Sequence, residues 1–103
     1  MTKLELITTI ASKQDNLTLR DIDLAINTII SCMTGTLVSG DRIEIRGFGC
    51  FSLKIRNQRV GRNPKTGETV SIPERHAVHF KPGLEMRERI NQSRLTYRTI
   101  RDV

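Results

Sequence analysis

Over the first forty positions the apolar residues recur at helical spacing. Thr2 followed by Glu5 is a T-x-x-E capping box that predicts a helix start. Leu6, Ile7 and Ile10 form the apolar side of that helix, and "SKQDN" ends it. Thr18 followed by Asp21 supplies a second N-cap with an acid in the first turn. Beyond it, Ile22, Ile26, Ile29, Met33 and Leu37 return three or four residues apart, the strongest helical signal in the chain. This helix is expected from Thr18 to about Ser39, where Gly40 can cap it. Leu24 and Ile30 lie off the stripe, so the helix needs more than one neighbour. A helical hairpin packed on its own sheet would satisfy it. The reading adopted is that the stripe Ile22, Ile26, Ile29, Met33 and Leu37 is a dimer interface.

The period then shortens to two. In "RIEIR", Ile43 and Ile45 point one way, and Arg42, Glu44 and Arg46 the other. "GFG" interrupts the strand at Gly47 and Gly49, as a turn or a sharp bulge. Alternation resumes with Phe51, Leu53 and Ile55 on one face and Ser52, Lys54 and Arg56 on the other. "HAVHFK" places Val78 and Phe80 inward, His79 and Lys81 outward. The outcome is an α+β fold: a three-stranded antiparallel sheet with an apolar face for helices and a charged face left for a ligand. Pro82 and Gly83 stop the last strand, and "LEMRERINQ" reads as a short helix. In "SRLTYRTIRDV", Leu95, Tyr97 and Ile100 either continue that helix or trail.

Between Ile55 and Val78 lie about twenty residues without a core pattern, too many for an idle loop in a compact domain. Val60 precedes a turn, and Val70 and Ile72 follow it. These predict a protruding two-stranded ribbon with its tip at Asn63-Pro64-Lys65-Thr66-Gly67. With about eight residues a side it would reach roughly 26 Å at ~3.3 Å per residue.

Composition changes this picture in two ways. A chain of 103 residues with only 4% aromatics has a modest core, which favours a second chain to bury apolar area. The net charge of +6 is also unevenly placed. Residues 1–40 carry three basic and four acidic side chains, whereas 54–81 carry seven basic and two acidic. A concentrated basic segment favours a polyanion: DNA, RNA or an anionic membrane surface. No apolar run approaches membrane-spanning length and the N-terminus is no signal peptide, so a cytoplasmic protein without a membrane partner is expected. Cys32 and Cys50 then stay reduced. Their spacing relative to His76 and His79 is unlike a zinc knuckle, and no metal or cofactor is expected. Nucleophile–base constellations and Gly-rich phosphate loops are absent from the sequence, which argues against an enzyme. An RNA-binding or translation-related module is allowed by the basic arm, but Phe48, Phe51 and Phe80 fit the core and leave only Tyr97 for stacking.

Arg and Lys on an arm suit a DNA minor groove, whose negative potential deepens where A·T tracts narrow it. Pro64 at the tip is either an ordinary turn proline or a rigid apolar wedge that unstacks a base step and kinks the duplex. The charges are either a solvated face or groove contacts.

"RIEIRGFGCFSL", "GRNPKTGE" and "HFKPGLEMRERIN", in this order, resemble the bacterial HU/IHF family of DNA-bending proteins. The similarity runs from Met1 to about Asn91, and "MTKLELI" and "RIEIR" look most like its integration host factor beta-subunit branch. The resemblance implies two N-terminal helices, a three-stranded sheet with a long ribbon arm, a short C-terminal helix, and two intertwined chains. It places Phe48 and Phe51 with the helix stripe at the dimer interface. It implies that Pro64 intercalates, and that Arg59, Arg62, Asn63 and Lys65 contact the minor groove and phosphates. It further implies that Glu44 orients Arg46 for base readout, with Arg42, Lys54, Arg56 and Lys81 on phosphates. Glu44 paired with Arg42 or Arg46 for solubility is the simpler alternative. The implied function is site-preferring, nucleoid-associated DNA bending in recombination, transcription and replication, by a heterodimer with an alpha subunit or by a homodimer. The alternative is non-specific HU-like compaction. The domain is expected to span 1–91, with the arm at about 56–77. A basic extension at 92–103 carries Arg94, Arg98 and Arg101.

Overall fold

The first two helices are set by their caps. In the computed structural model, described for residues 1–97, α1 spans Lys3–Ser12 and the Thr2 hydroxyl accepts from the Glu5 N–H at 3.1 Å. The reciprocal half of the expected box is replaced: the Glu5 carboxylate lies 4.0 Å from the terminal amine of Met1. The complete box forms instead at α2, Leu19–Val38. There the Asp21 N–H donates to the Thr18 hydroxyl at 3.1 Å, and the Thr18 N–H donates to the Asp21 carboxylate at 3.4 Å. Gly40, at φ +89, follows the C-cap Ser39 in the left-handed region that glycine adopts without strain.

The chain divides into two units, Met1–Ser39 and a second beginning at Gly40. The helical unit has a small core of Ile7, Ile22 and Ile26, with Leu6 and Ala11 against it. This corrects part of the predicted interface. Ile22 and Ile26 are 3% and 7% exposed, already covered by α1, and are not a free face. An apolar stripe marks what a helix buries but not which neighbour buries it. Ile29 is 59% exposed, and Met33 and Leu37 are half-buried. Leu24 and Ile30, off the stripe, are also exposed. The hydroxyls of Thr28, Thr34 and Thr36 bond back to the carbonyls of Leu24, Ile30 and Cys32. By length and mean hydropathy (1.2) α2 meets the requirement of a membrane span, where the sequence reading saw no such stretch. Its apolarity is spread among Thr, Ser and Asn, so no unbroken run reveals it.

In the second unit β1 (Ile43–Ile45), β2 (Gly49–Arg56) and β5 (Arg75–Pro82) form an antiparallel sheet in the order β1-β2-β5. Register puts Ile43, Phe51 and Phe80 in one row, and Leu53 opposite Val78. Phe80 lies between two rings, with centroids 5.3 Å from Phe48 and 4.7 Å from Phe51. The "GFG" break is a turn. Gly47 has φ +83, and the Phe48 N–H donates to the Ile45 carbonyl at 3.0 Å. Gly49 serves close approach: a Cβ there would sit 2.6 Å from the Lys81 carbonyl oxygen and from the Phe80 ring. The Phe48 carbonyl then accepts from the Gly83 N–H at 2.9 Å, which anchors the start of α3, Leu84–Ser93.

Two short strands, β3 (Arg59–Arg62) and β4 (Thr69–Ile72), form a separate two-stranded ribbon. The arm is thus real but not one continuous ladder. Pairing stops after Arg56↔Arg75 and restarts at Arg59↔Ile72, skipping Asn57–Gln58 and Pro73–Glu74. Pro73 has no N–H to donate, which accounts for one missing ladder bond at the break. After α3 the chain makes one more turn, with the Tyr97 N–H bonded to the Ser93 carbonyl at 2.9 Å. Ile100, Arg98 and Arg101 lie outside the described residues.

Candidate nucleic-acid interface

Alternation along β2 and β5 collects the charged residues on one sheet face. Across the strands the rows are Glu44–Cys50–Lys81, Ser52–His79, Lys54–Ala77 and Arg56–Arg75. The apolar rows carry Ile43, Phe51, Phe80, Leu53 and Val78, as the pattern predicted. His79 is half-buried on the charged face, and His76 faces the other way, opposite Ile55 near the arm. Arg56 directly opposes Arg75, and both are exposed. Like charges directly opposite each other destabilise a sheet. A polyanion laid on this face would turn that repulsion into attraction. Arg75 was counted in the sequence's basic excess but not chosen as a site residue, because pairing register is invisible in one strand alone.

Glu44 has a partner, and it is the Arg42 of the simpler alternative. Its carboxylate accepts from the Arg42 guanidinium at 3.0 Å, with both side chains about two-thirds exposed or more (66% and 71%). Arg46 opens the turn that directly follows β1 and lines an open groove of about 370 Å³ with Glu44, Lys81 and Arg87. The structure therefore brings Glu44, Arg46 and Lys81 to one groove, but it is Arg42 that the glutamate holds. Arg87 joins them from α3. Sequence reasoning missed it because it read α3 only as a short helix and gave it no site residue; its place just after the strand end at Pro82 was the available signal.

On the ribbon, register separates the basic residues. Arg59 shares a face with Gly61, Val70 and Ile72, whereas Arg62 shares the other with Val60, Thr69 and Ser71. A Cβ on Gly61 would meet the Ile72 Cδ1 at 2.8 Å, so Ile72 lies over the bare glycine backbone. Gln58 reaches across to the Ser71 hydroxyl at 3.4 Å. The tip is closed by hydrogen bonds. The Asn63 N–H donates to the Glu68 carbonyl at 2.8 Å, and the Gly67 N–H to the Asn63 carbonyl at 2.7 Å. Gly67 has φ +73. Pro64 and Lys65 are exposed at the end of this turn. Among the described residues no group of three or more metal-ligating side chains occurs, and Cys32 and Cys50 are free thiols.

Three comparisons bear on this geometry. The family model described as bacterial DNA-binding protein matches residues 1–91. The chain is 57% identical over 91 residues to the integration host factor beta subunit of Thioalkalivibrio sulfidiphilus, covering 88% of this chain and 95% of that one. It is 58% identical over 91 residues to that of Methylococcus capsulatus, covering 88% and 96%. Among solved structures it is similar to HU in an Anabaena HU–DNA cocrystal, with a TM-score of 0.80 at 32% identity over 87% of this chain and 97% of that one.

Proposed function

The chain belongs to the bacterial DNA-binding protein family, and on that premise we propose that it bends double-stranded DNA as an architectural protein, not an enzyme. The observation that carries the reading is the arm: a narrow ribbon ending in an exposed proline, with Arg62 and Lys65 beside it. The residues divide by task. Arg42, Lys54, Arg56, Lys81 and, by its register, Arg75 neutralise phosphates along the sheet face. Arg59, Arg62 and Lys65 follow the minor groove, and Pro64 enters a base step as a wedge with no N–H to satisfy. Smooth bending of a short site costs on the order of 1–6 kcal/mol, and unstacking adds a few more per step. Phosphate contacts along the flanks offset that cost. Arg46 supplies site preference from its groove. Arg42 holds one oxygen of the Glu44 carboxylate in the free chain, and the other oxygen is the acceptor that orients Arg46.

The body that carries two such arms is made by two chains. Support comes from the apolar side chains that α2 leaves exposed around its circumference, Leu24, Ile29 and Ile30, and from Phe48 at 39% exposure. Similarity to beta subunits favours an alpha-type subunit as the second chain. Residues 1–91 form the DNA-binding domain, 92–103 extend it, and the protein works on the nucleoid in the cytoplasm. The test is Pro64→Ala on an end-labelled duplex. Fluorescence transfer between the ends should fall sharply while affinity changes little. An unchanged transfer at saturation removes the wedge from the reading.

A further inference from the structure

We propose that Asn63 is a positioning residue that holds Pro64 in its presenting geometry, and that its carboxamide oxygen does this work instead of contacting DNA. The inference rests on the wedge reading above. Three of the residue's polar groups are engaged inside the tip. Its N–H donates to the Glu68 carbonyl at 2.8 Å, and its carbonyl accepts from the Gly67 N–H at 2.7 Å. Its Oδ1 accepts from the Lys65 N–H at 2.9 Å. That third bond spans the proline: it is an Asx turn, in which a short side chain stands in for the backbone acceptor of a β-turn. Proline cannot close the turn itself, having no N–H, and it holds the residue before it extended. An extended residue carrying an acceptor two bonds beyond Cβ is what the position calls for, and Asn meets both demands. Asn63 is half-buried while Pro64 and Lys65 are exposed, so it lies behind the wedge and not at its edge. On the far side the Thr66 hydroxyl accepts from the Glu68 N–H at 3.3 Å, and Gly67 takes the left-handed conformation, which completes the closure.

The two roles separate by side-chain length. Gln keeps the carboxamide but moves it one methylene too far to close the turn. Ser loses the carboxamide but keeps an acceptor near the same place. Asn63→Gln, Asn63→Ser and Asn63→Ala are made in the Pro64 chain and in the Pro64→Ala chain. Bending is read by fluorescence transfer at saturating protein, and protection of the Lys65 amide by hydrogen exchange in the free protein. In the Pro64 chain, Gln and Ala should lower transfer to the Pro64→Ala level and expose the Lys65 amide, and Ser should recover most of both. In the Pro64→Ala chain none of the three should change transfer further. The proposal is overturned if Gln bends like the unchanged chain and Ser like Ala, which marks a DNA contact. It is equally overturned if Asn63→Ala lowers transfer as much with Pro64 absent. If Pro64→Ala itself leaves transfer unchanged, the wedge reading fails and this inference falls with it. If Pro64→Ala reduces transfer and the Asn63 variants do not, only the inference fails.

Discussion

Gly49→Ala is the sharpest test of how the charged face is held in place. The added Cβ would lie 2.6 Å from the Lys81 carbonyl oxygen and 2.6 and 2.7 Å from two Phe80 ring atoms. Ordinary contact begins near 3.4 Å, so relief requires a movement of several tenths of an ångström. One obstacle is backbone, and the other is a ring held between Phe48 and Phe51, so neither gives way as a free side-chain end would. Overfilling a packed site costs about 1–3 kcal/mol, and this geometry belongs at the upper end. With a urea dependence of about 2 kcal/mol per molar, the midpoint should drop by about 1.5 M. The assay is urea unfolding followed by circular dichroism, with both proteins at one chain concentration, because a two-chain body gains stability with concentration. Gly49 belongs to the apolar rows with Ile45 and Pro82, so the salt dependence of DNA binding should not change. A midpoint equal to that of the unchanged chain would refute the packing argument. A shallower salt dependence would refute the assignment of faces.

Gly35→Ala is the counterpart: it sits inside α2 with nothing within 4 Å of a Cβ, so stability should rise by about 0.5–1 kcal/mol. A loss in the same urea assay would mean that a second chain packs there. Arg56→Ala and Arg75→Ala should each weaken binding on all DNA sequences alike and make the log–log salt slope shallower by about 1, measured by titration at several salt concentrations. An effect confined to one DNA sequence would contradict phosphate contact. Glu44→Gln breaks an exposed ion pair, so stability should move by less than about 1 kcal/mol. Its affinity for random DNA should rise and the ratio between preferred and random sites should narrow, as it should for Arg46→Ala; a constant ratio in both variants would remove Arg46 from the readout.

The elements themselves were plain in the chain, because each obeys one period. Ile22 to Leu37 reads as a helix, Phe51 to Ile55 as a strand, and the stretch around Pro64 as a turn, each from local residues alone. Pairings were not plain. That Arg56 faces Arg75, or that Arg59 and Arg62 fall on opposite faces of the ribbon, depends on register, which two strands set jointly. The partner of Glu44 was open between two arginines equally near in sequence, and the folded chain pairs it with Arg42. Ile22 and Ile26 were assigned to a second chain because periodicity says only that a face is buried; α1 reached them first. Gly49 was seen as a strand breaker, but it is the space into which Phe80 fits.

The skipped pairs at Asn57–Gln58 and Pro73–Glu74 separate the eight-pair ladder between β2 and β5 from the four-pair ladder of the arm. A four-pair ribbon is marginal in water by itself, so it opens locally at far less free energy than the sheet. The body can thus remain folded while the arm melts and re-forms. Wrapping a duplex then carries an ordering cost confined to a few residues, and the sheet face proposed for the phosphate contacts is left undisturbed. The protein can be stable as a body and still weakly committed at its tips, which lets a stiff DNA sequence shed the arm without losing the rest.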